Sequence, residues 1–208
     1  MIKANVNVAG TVKRTATIKT NKEGKPYLSF VMSVTLTESN GKEKEIEILV
    51  LSTKSKQSDL KTYVEKKRVS VVGTMDIRKK GEELSFYLSA DELSTKDVSE
   101  FDVITGELQF RGHLKGENFY EERTDKRGKT YLVFPAYSSE KVGENYVSTW
   151  VNFMRFPKED NETLREDWFQ GKAFLDITGD LQVSAFKGRT SLSCRVKDMK
   201  LAERKNQQ

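Results

Sequence analysis

One cysteine, one histidine and three prolines occur in 208 residues, and no apolar run approaches the length a membrane helix requires. A lone Cys194 cannot form an internal disulfide, and a single free thiol fits a reducing compartment. Zinc sites draw about four ligands from His, Cys and carboxylates, yet His113 and Cys194 are 81 residues apart. The phosphate-binding loop, the nucleophile elbow and the dinucleotide fingerprint are all absent. Carboxylates are plentiful but scattered among lysines, as on a solvated surface. No metal, no cofactor and no catalytic role are therefore expected, and His113 is expected to pack or to face water. The opening MIKANVNVAG lacks the apolar stretch of a signal peptide, so the expectation is a soluble, cytoplasmic protein without membrane contact.

What is present is a polar, globular mixture: 36% hydrophobic, 32% charged and 10% aromatic residues. That content and length suffice for one large core or two small ones without staples. The net charge of +5 and pI near 9.1 lean toward a polyanionic partner. The two halves differ. Residues 1–100 hold 18 Lys+Arg against 14 Asp+Glu, and residues 101–208 hold 18 against 17. Aromatics run the other way, 5 in the first half and 15 in the second.

The halves are nevertheless a repeat. Thr20–Phe30 (TNKEGKPYLSF) and Thr124–Phe134 (TDKRGKTYLVF) agree at seven of eleven positions, 104 residues apart. Upstream, Gly10–Lys13 answers Gly112–Lys115 after two residues are inserted in the second copy. Downstream, Val69–Ile77 with Gly73 answers Leu175–Val183 with Gly179, and Leu84–Leu88 answers Leu192–Val196. The same blocks in the same order indicate a duplication.

Each copy reads as strands. Val6/Val8, Leu28/Phe30/Met32/Val34, Ile46/Ile48/Val50, Val69/Val71 and Leu84/Phe86/Leu88 alternate with period two, between turn signals at Asn21–Gly24, Asn40-Gly41 and Lys80-Gly81. One helical stretch is expected per copy, near Asp59–Lys66 and Asn161–Phe169. The all-β reading stands on this pattern; five strands with a helix after the third, together with the family resemblance given below, predict two tandem OB-fold barrels, five-stranded and Greek-key, each with one short helix. Barrel one is expected over 1–100 and barrel two over 101–208. A polar linker runs from about Ser94 to Gly106, and the tail Glu203–Gln208 is expected to be disordered.

The chemistry-bearing residues concentrate in copy two. In Trp150–Phe156 (WVNFMRF), Trp150, Asn152, Met154 and Phe156 share one strand face, and Val151 and Phe153 the other. If Val151 and Phe153 fill the barrel, Trp150 and Phe156 face outward, where any base of a single strand could stack. The alternatives are a Trp150 inside the barrel or one covered by a second barrel in a dimer. By parity Phe30 and Phe134 join the core, while Tyr27, Tyr131 and Tyr137 become surface candidates. Arg123, Lys126, Arg127 and Lys129 surround the first hairpin of copy two. Cations interleaved with aromatics form a groove that tracks a strand, although Lys and Arg are also ordinary at solvated turns.

These features resemble the bacterial-type single-stranded DNA-binding protein family: Gly112, Gly128-Lys129 before Phe134, Trp150 with Phe156 six positions on, and Gly179 with Phe186 seven positions on. The resemblance spans most of both copies and implies the OB-fold, stacking on Trp150, Phe156 and Phe186, and a homodimer that brings four barrels together. Copy one departs from it. Glu45 stands where Trp150 stands, flanked by Glu43 and Glu47; Leu51 matches Phe156 and Lys80 matches Phe186. Phosphate contacts are then expected from strand ends and loops, at Lys22, Lys25, Arg78 and Lys80, beside Lys13, Arg14, Lys19 and Lys79. The family's acidic C-terminal tail has no counterpart in Glu203–Gln208.

The leading expectation is thus non-catalytic binding of single-stranded DNA, with copy two stacking bases and copy one supplying charge, in replication, recombination or repair. RNA is not separated from DNA by sequence. The alternative is a protein-interaction module built on OB-folds, with the acidic strand of copy one as its contact.

Overall fold

The computed structural model describes residues 2–159 and 162–203. Its strands among these residues are β1 (Ile2–Thr20), β2 (Pro26–Thr37), β3 (Glu43–Ser52), β4 (Arg68–Lys80), β5 (Glu83–Ser94), β6 (Val103–Leu114), β7 (Glu121–Thr124), β8 (Thr130–Val142), β9 (Asn145–Arg155), β10 (Phe174–Phe186) and β11 (Arg189–Leu201).

The first copy closes into a barrel. β1 pairs with β2, β2 with β3, β3 in parallel with β5, β5 with β4, and β4 back to β1. β1 can serve two neighbours because it is irregular: Lys3–Thr11 runs along β4, and register shifts between Val12 and Thr17 turn the rest onto β2. The second copy repeats the circuit: β6 with β8, β8 with β9, β9 in parallel with β11, β11 beside β10, and β10 with β6. Here the six residues of Lys115–Tyr120 break the long first strand, and β7 completes it along β8. A closed five-stranded sheet in the order 1-2-3-5-4 is the Greek-key barrel of the OB-fold. The chain is all-β, with two such barrels.

Side-chain alternation fills each core. Leu28, Phe30, Met32 and Val34 of β2, Ile46, Ile48 and Val50 of β3, and Val69 and Val71 of β4 are buried, as their period-two spacing predicts. In the second barrel Phe134 and Phe153 stack with centroids 5.3 Å apart, and Phe110 meets Phe153 edge-on at 5.0 Å. Val151 and Phe153 point inward and are almost wholly buried.

The repeated glycines have a packing reason. A Cβ on Gly10 or Gly112 would strike the carbonyl oxygen of Ser33 or Tyr137; on Gly73 or Gly179 it would strike that of Ser89 or Arg195. Only glycine lets these strands approach at the barrel's tight corners. The repeated turns are equally alike. The side-chain oxygen of Asn21 accepts the N–H groups of Glu23 and Lys25, that of Asp125 those of Arg127 and Lys129, and Gly24 and Gly128 take φ of 77° and 81°.

The expected helices are the main correction. Copy one has only a 3₁₀ turn over Gln57–Lys61. In copy two, Asn161 lies outside the described residues, and 162–169 forms bends and turns with no helix. Arg155 explains this segment: its guanidinium holds Glu166 through two hydrogen bonds of 2.8 Å and reaches Glu162 at 3.4 Å. Fixing two carboxylates of the segment on one cation secures a loop in which Phe169 packs edge-on against Phe134 at 5.1 Å. Tail residues 204–208 lie outside the described residues.

By contact density the chain forms two compact units. One comprises Lys3–Gly106 with Val183–Ser191; the other is centred on Glu107–Gln182 and the stretch from Leu192. The first unit includes the polar linker, tied down by Arg68, which donates to the carbonyls of Ser99 and Phe101 and pairs with Asp102. It also includes the tip of the β10–β11 hairpin, where Gly188 N–H donates to Glu38 at 2.7 Å.

Candidate nucleic-acid interface

On the outer face of β8 and β9 the second barrel carries aromatics in cross-strand pairs. Tyr137 lies opposite Trp150, with ring centroids 4.8 Å apart, and Trp150 is 48% exposed. Toward the other end of the ribbon Tyr131 stacks on Phe156 at 4.6 Å, with planes 13° apart. Trp150 and Phe156 are six residues apart, which at strand rise separates the two pairs by about 20 Å. Pro135, Asn152, Val133 and Met154 lie on the same face between them.

Cations frame this ribbon. The Arg195 guanidinium sits 4.9 Å from the centroid of the Phe156 ring. Arg123 of β7 is the strand partner of Tyr131 and is ion-paired to Glu121 at 2.7 Å. That carboxylate and the Tyr131 hydroxyl hold the Arg123 proton more tightly than usual. Lys126, Arg127 and Lys129 are exposed on the adjoining turn. Asp125 is held ionised below its ordinary range by the backbone N–H groups of Lys129 and Arg127, so the turn keeps its shape through the neutral range.

Of the expected site residues, Trp150, Phe156, Tyr131, Tyr137, Arg123, Lys126, Arg127 and Lys129 therefore come together on β7–β9 and their turns. Phe186 belongs to the other unit, at the hairpin tip, 61% exposed with the Lys187 ammonium 5.3 Å from its ring. Tyr27 is half-buried at the start of β2, and Lys22 and Lys25 are exposed on the preceding turn, Lys25 paired with Glu23 at 3.1 Å. Arg78 and Lys80 are exposed at the end of β4, with the Arg78 guanidinium 5.9 Å from the Tyr87 ring.

Three contributors carry no motif in the sequence: Arg195, Tyr87 and Tyr146. Arg195 and Tyr87 occupy matched positions of the repeat, Tyr87 between the buried Phe86 and Leu88 and Arg195 after the buried Cys194. Tyr146, 73% exposed, extends the outer face of β9 opposite Lys141. Parity with Trp150 was the available signal for it. His113 packs 4.7 Å from Phe174 and 5.9 Å from Tyr137, with Nδ1 3.3 Å from the Lys172 carbonyl.

Such a surface offers flat π-faces for planar rings and flexible cations for anions. Among the described residues no cluster of His, Cys, Asp and Glu could hold a metal, and no helix is long and apolar enough to cross a membrane.

No protein-family model and no curated relative matches the chain. Among solved structures it is similar to a deletion mutant of the single-stranded DNA-binding protein from Thermus aquaticus, with 14% identity, TM-score 0.47, and 97% of this chain and 95% of that one covered. The wild-type Thermus aquaticus protein is 16% identical, at TM-score 0.44, with 99% and 95% covered. A mitochondrial single-stranded DNA-binding protein of S. cerevisiae is 20% identical, at TM-score 0.36, over 48% of this chain and 96% of that one. The barrel topology stands on the strand pairing itself: this is an OB-fold protein with two barrels and an aromatic outer face on the second.

Proposed function

We propose that this protein binds single-stranded DNA without strong sequence preference and without catalysis. Bases stack on Trp150/Tyr137 and Phe156/Tyr131 while Arg123, Lys126, Arg127, Lys129 and Arg195 contact phosphates. The observation that carries this reading is the pair of aromatic couples on one outward strand face, framed by cations. Stacking suits any base because every base has a π-face, and single strands leave those faces free. Tyr27, Lys22, Lys25, Arg78, Lys80 and Phe186 are assigned a supporting role from the first unit. Barrels over 1–100 and 101–208, a homodimer and a cytoplasmic role in replication, recombination or repair complete the proposal.

The test is a titration of intrinsic Trp fluorescence with single-stranded DNA, single-stranded RNA and duplex DNA over a salt series. Single strands are expected to quench emission and to bind more weakly as salt rises, with log K falling by about 0.7 per log salt for each phosphate neutralised. Light scattering is expected to give about twice 23.8 kDa. Binding of duplex as tightly as single strand, or no quenching with any strand, refutes the reading; the latter result favours the protein-interaction module.

A further inference from the structure

The first barrel has an open cleft of about 760 Å³ lined by residues of β1–β5 and by Thr190 of β11. Its lining includes Arg14, Lys19 and Lys80 as well as Tyr87 and the carboxylates Glu45 and Glu47. Lys13 bridges Glu45 and Glu47, the latter at 2.9 Å, and Arg14 reaches Glu47 at 2.8 Å. Glu83, at the cleft's far wall, takes Lys44 at 3.1 Å. Lys19 and Lys80 face the cleft with no carboxylate partner among the described residues. Carboxylate oxygens thus sit on Lys13 and Arg14 where phosphate oxygens of a polyanion would sit.

We propose that this cleft is a second phosphodiester site, masked by Glu45 and Glu47 acting as internal substitutes for phosphate. The inference rests on the single-strand-binding reading for the identity of the polyanion. The groove has cations, the open volume and one half-exposed aromatic, but Arg14 of its lining and the adjoining Lys13 are already satisfied, and an entering phosphate meets like charge at Glu45 and Glu47. The pairs are solvent-exposed, so each holds its cation only modestly and the mask is removable rather than permanent. The pairing also holds the Glu47 carboxyl below its ordinary range, mainly through its hydrogen bond from Lys13. Glu47 therefore stays ionised on Lys13 and Arg14 through the neutral range.

The experiment is oligothymidylate binding by the full chain and by Glu45→Gln/Glu47→Gln, reading both the salt slope and the length of strand occupied per chain. Both side chains are exposed, and thermal denaturation checks that the variant folds like the parent. With two cations released, the slope of log K against log salt is expected to steepen by about 1.4, the increment for two more phosphates on a single strand, and the occupied length to grow. Adding Lys13→Gln/Arg14→Gln should abolish the gain. An unchanged slope overturns the proposal, as does a gain that survives loss of Lys13 and Arg14. An equal gain in the control Glu92→Gln/Glu100→Gln, which removes the same charge elsewhere, overturns it too. Failure of the parent chain and of the unmasked variant to bind defeats both readings. A parent that binds beside an unmasked variant with no gain defeats the mask alone.

Discussion

Replacing Trp150 by alanine should weaken single-strand binding about 5- to 150-fold while leaving the protein folded. The binding loss follows from removing one stacked base partner, about 1–3 kcal/mol, with each 1.4 kcal/mol a factor of ten. The structural loss is smaller. Trp150 is about half exposed and touches chiefly Tyr137 across the strand pair, and such a cross-strand pair contributes about 0.2–1 kcal/mol. Against a typical stability of about 5–15 kcal/mol, the variant stays native at room temperature. Polarisation of a labelled oligonucleotide, titrated at several salt concentrations, separates the two terms of binding. No cation is removed, so the salt slope should match the parent's while the affinity falls at every salt. Trp150→Phe keeps a π-face and should lie between. Parent-like affinity in Trp150→Ala would refute the stacking assignment, and a changed slope would show that Trp150 acts by ordering cations instead.

Gly112→Ala should cost about 1–3 kcal/mol in denaturant unfolding, because its Cβ meets the Tyr137 carbonyl oxygen and the buried Phe110 ring. Phe153→Ala removes a ring buried against Phe134 and Phe110 and should cost about 3–5 kcal/mol in the same assay. Glu166 is held below its ordinary range by Arg155; its stabilisation is full above the usual carboxylate value and is lost as pH falls through the depressed one. In a Trp150→Phe background, Trp168 emission should therefore show an acid transition of the 162–169 loop, and Glu166→Gln should flatten it. Burial pushes the Cys194 thiol up to about 12, so a thiol reagent in mildly alkaline buffer should label it only upon unfolding; rapid labelling of the native protein would contradict the packing.

Period-two alternation, turn residues and repeated glycines are local consequences of backbone geometry, so the strands, their duplication and the outward parity of Trp150 were legible in the amino-acid order alone, whereas the choice of the OB barrel leaned on helix placement and on the family resemblance. The absence of a helix over 162–169 was not, because Arg155 gathers Glu162 and Glu166 from outside the segment. The candidate site divides in the same way. Trp150 and Tyr131 follow from strand parity, but their partners do not: Tyr137 meets Trp150, Tyr131 meets Phe156, and Arg195 reaches Phe156 only once β8, β9 and β11 are in register. The row Glu43, Glu45 and Glu47 reads in sequence as bare negative charge. In the barrel, Lys13 and Arg14, more than thirty residues away, neutralise Glu45 and Glu47. Charge and pattern are properties of the chain, whereas which charge cancels which depends on distances of a few ångströms that only the closed barrel sets.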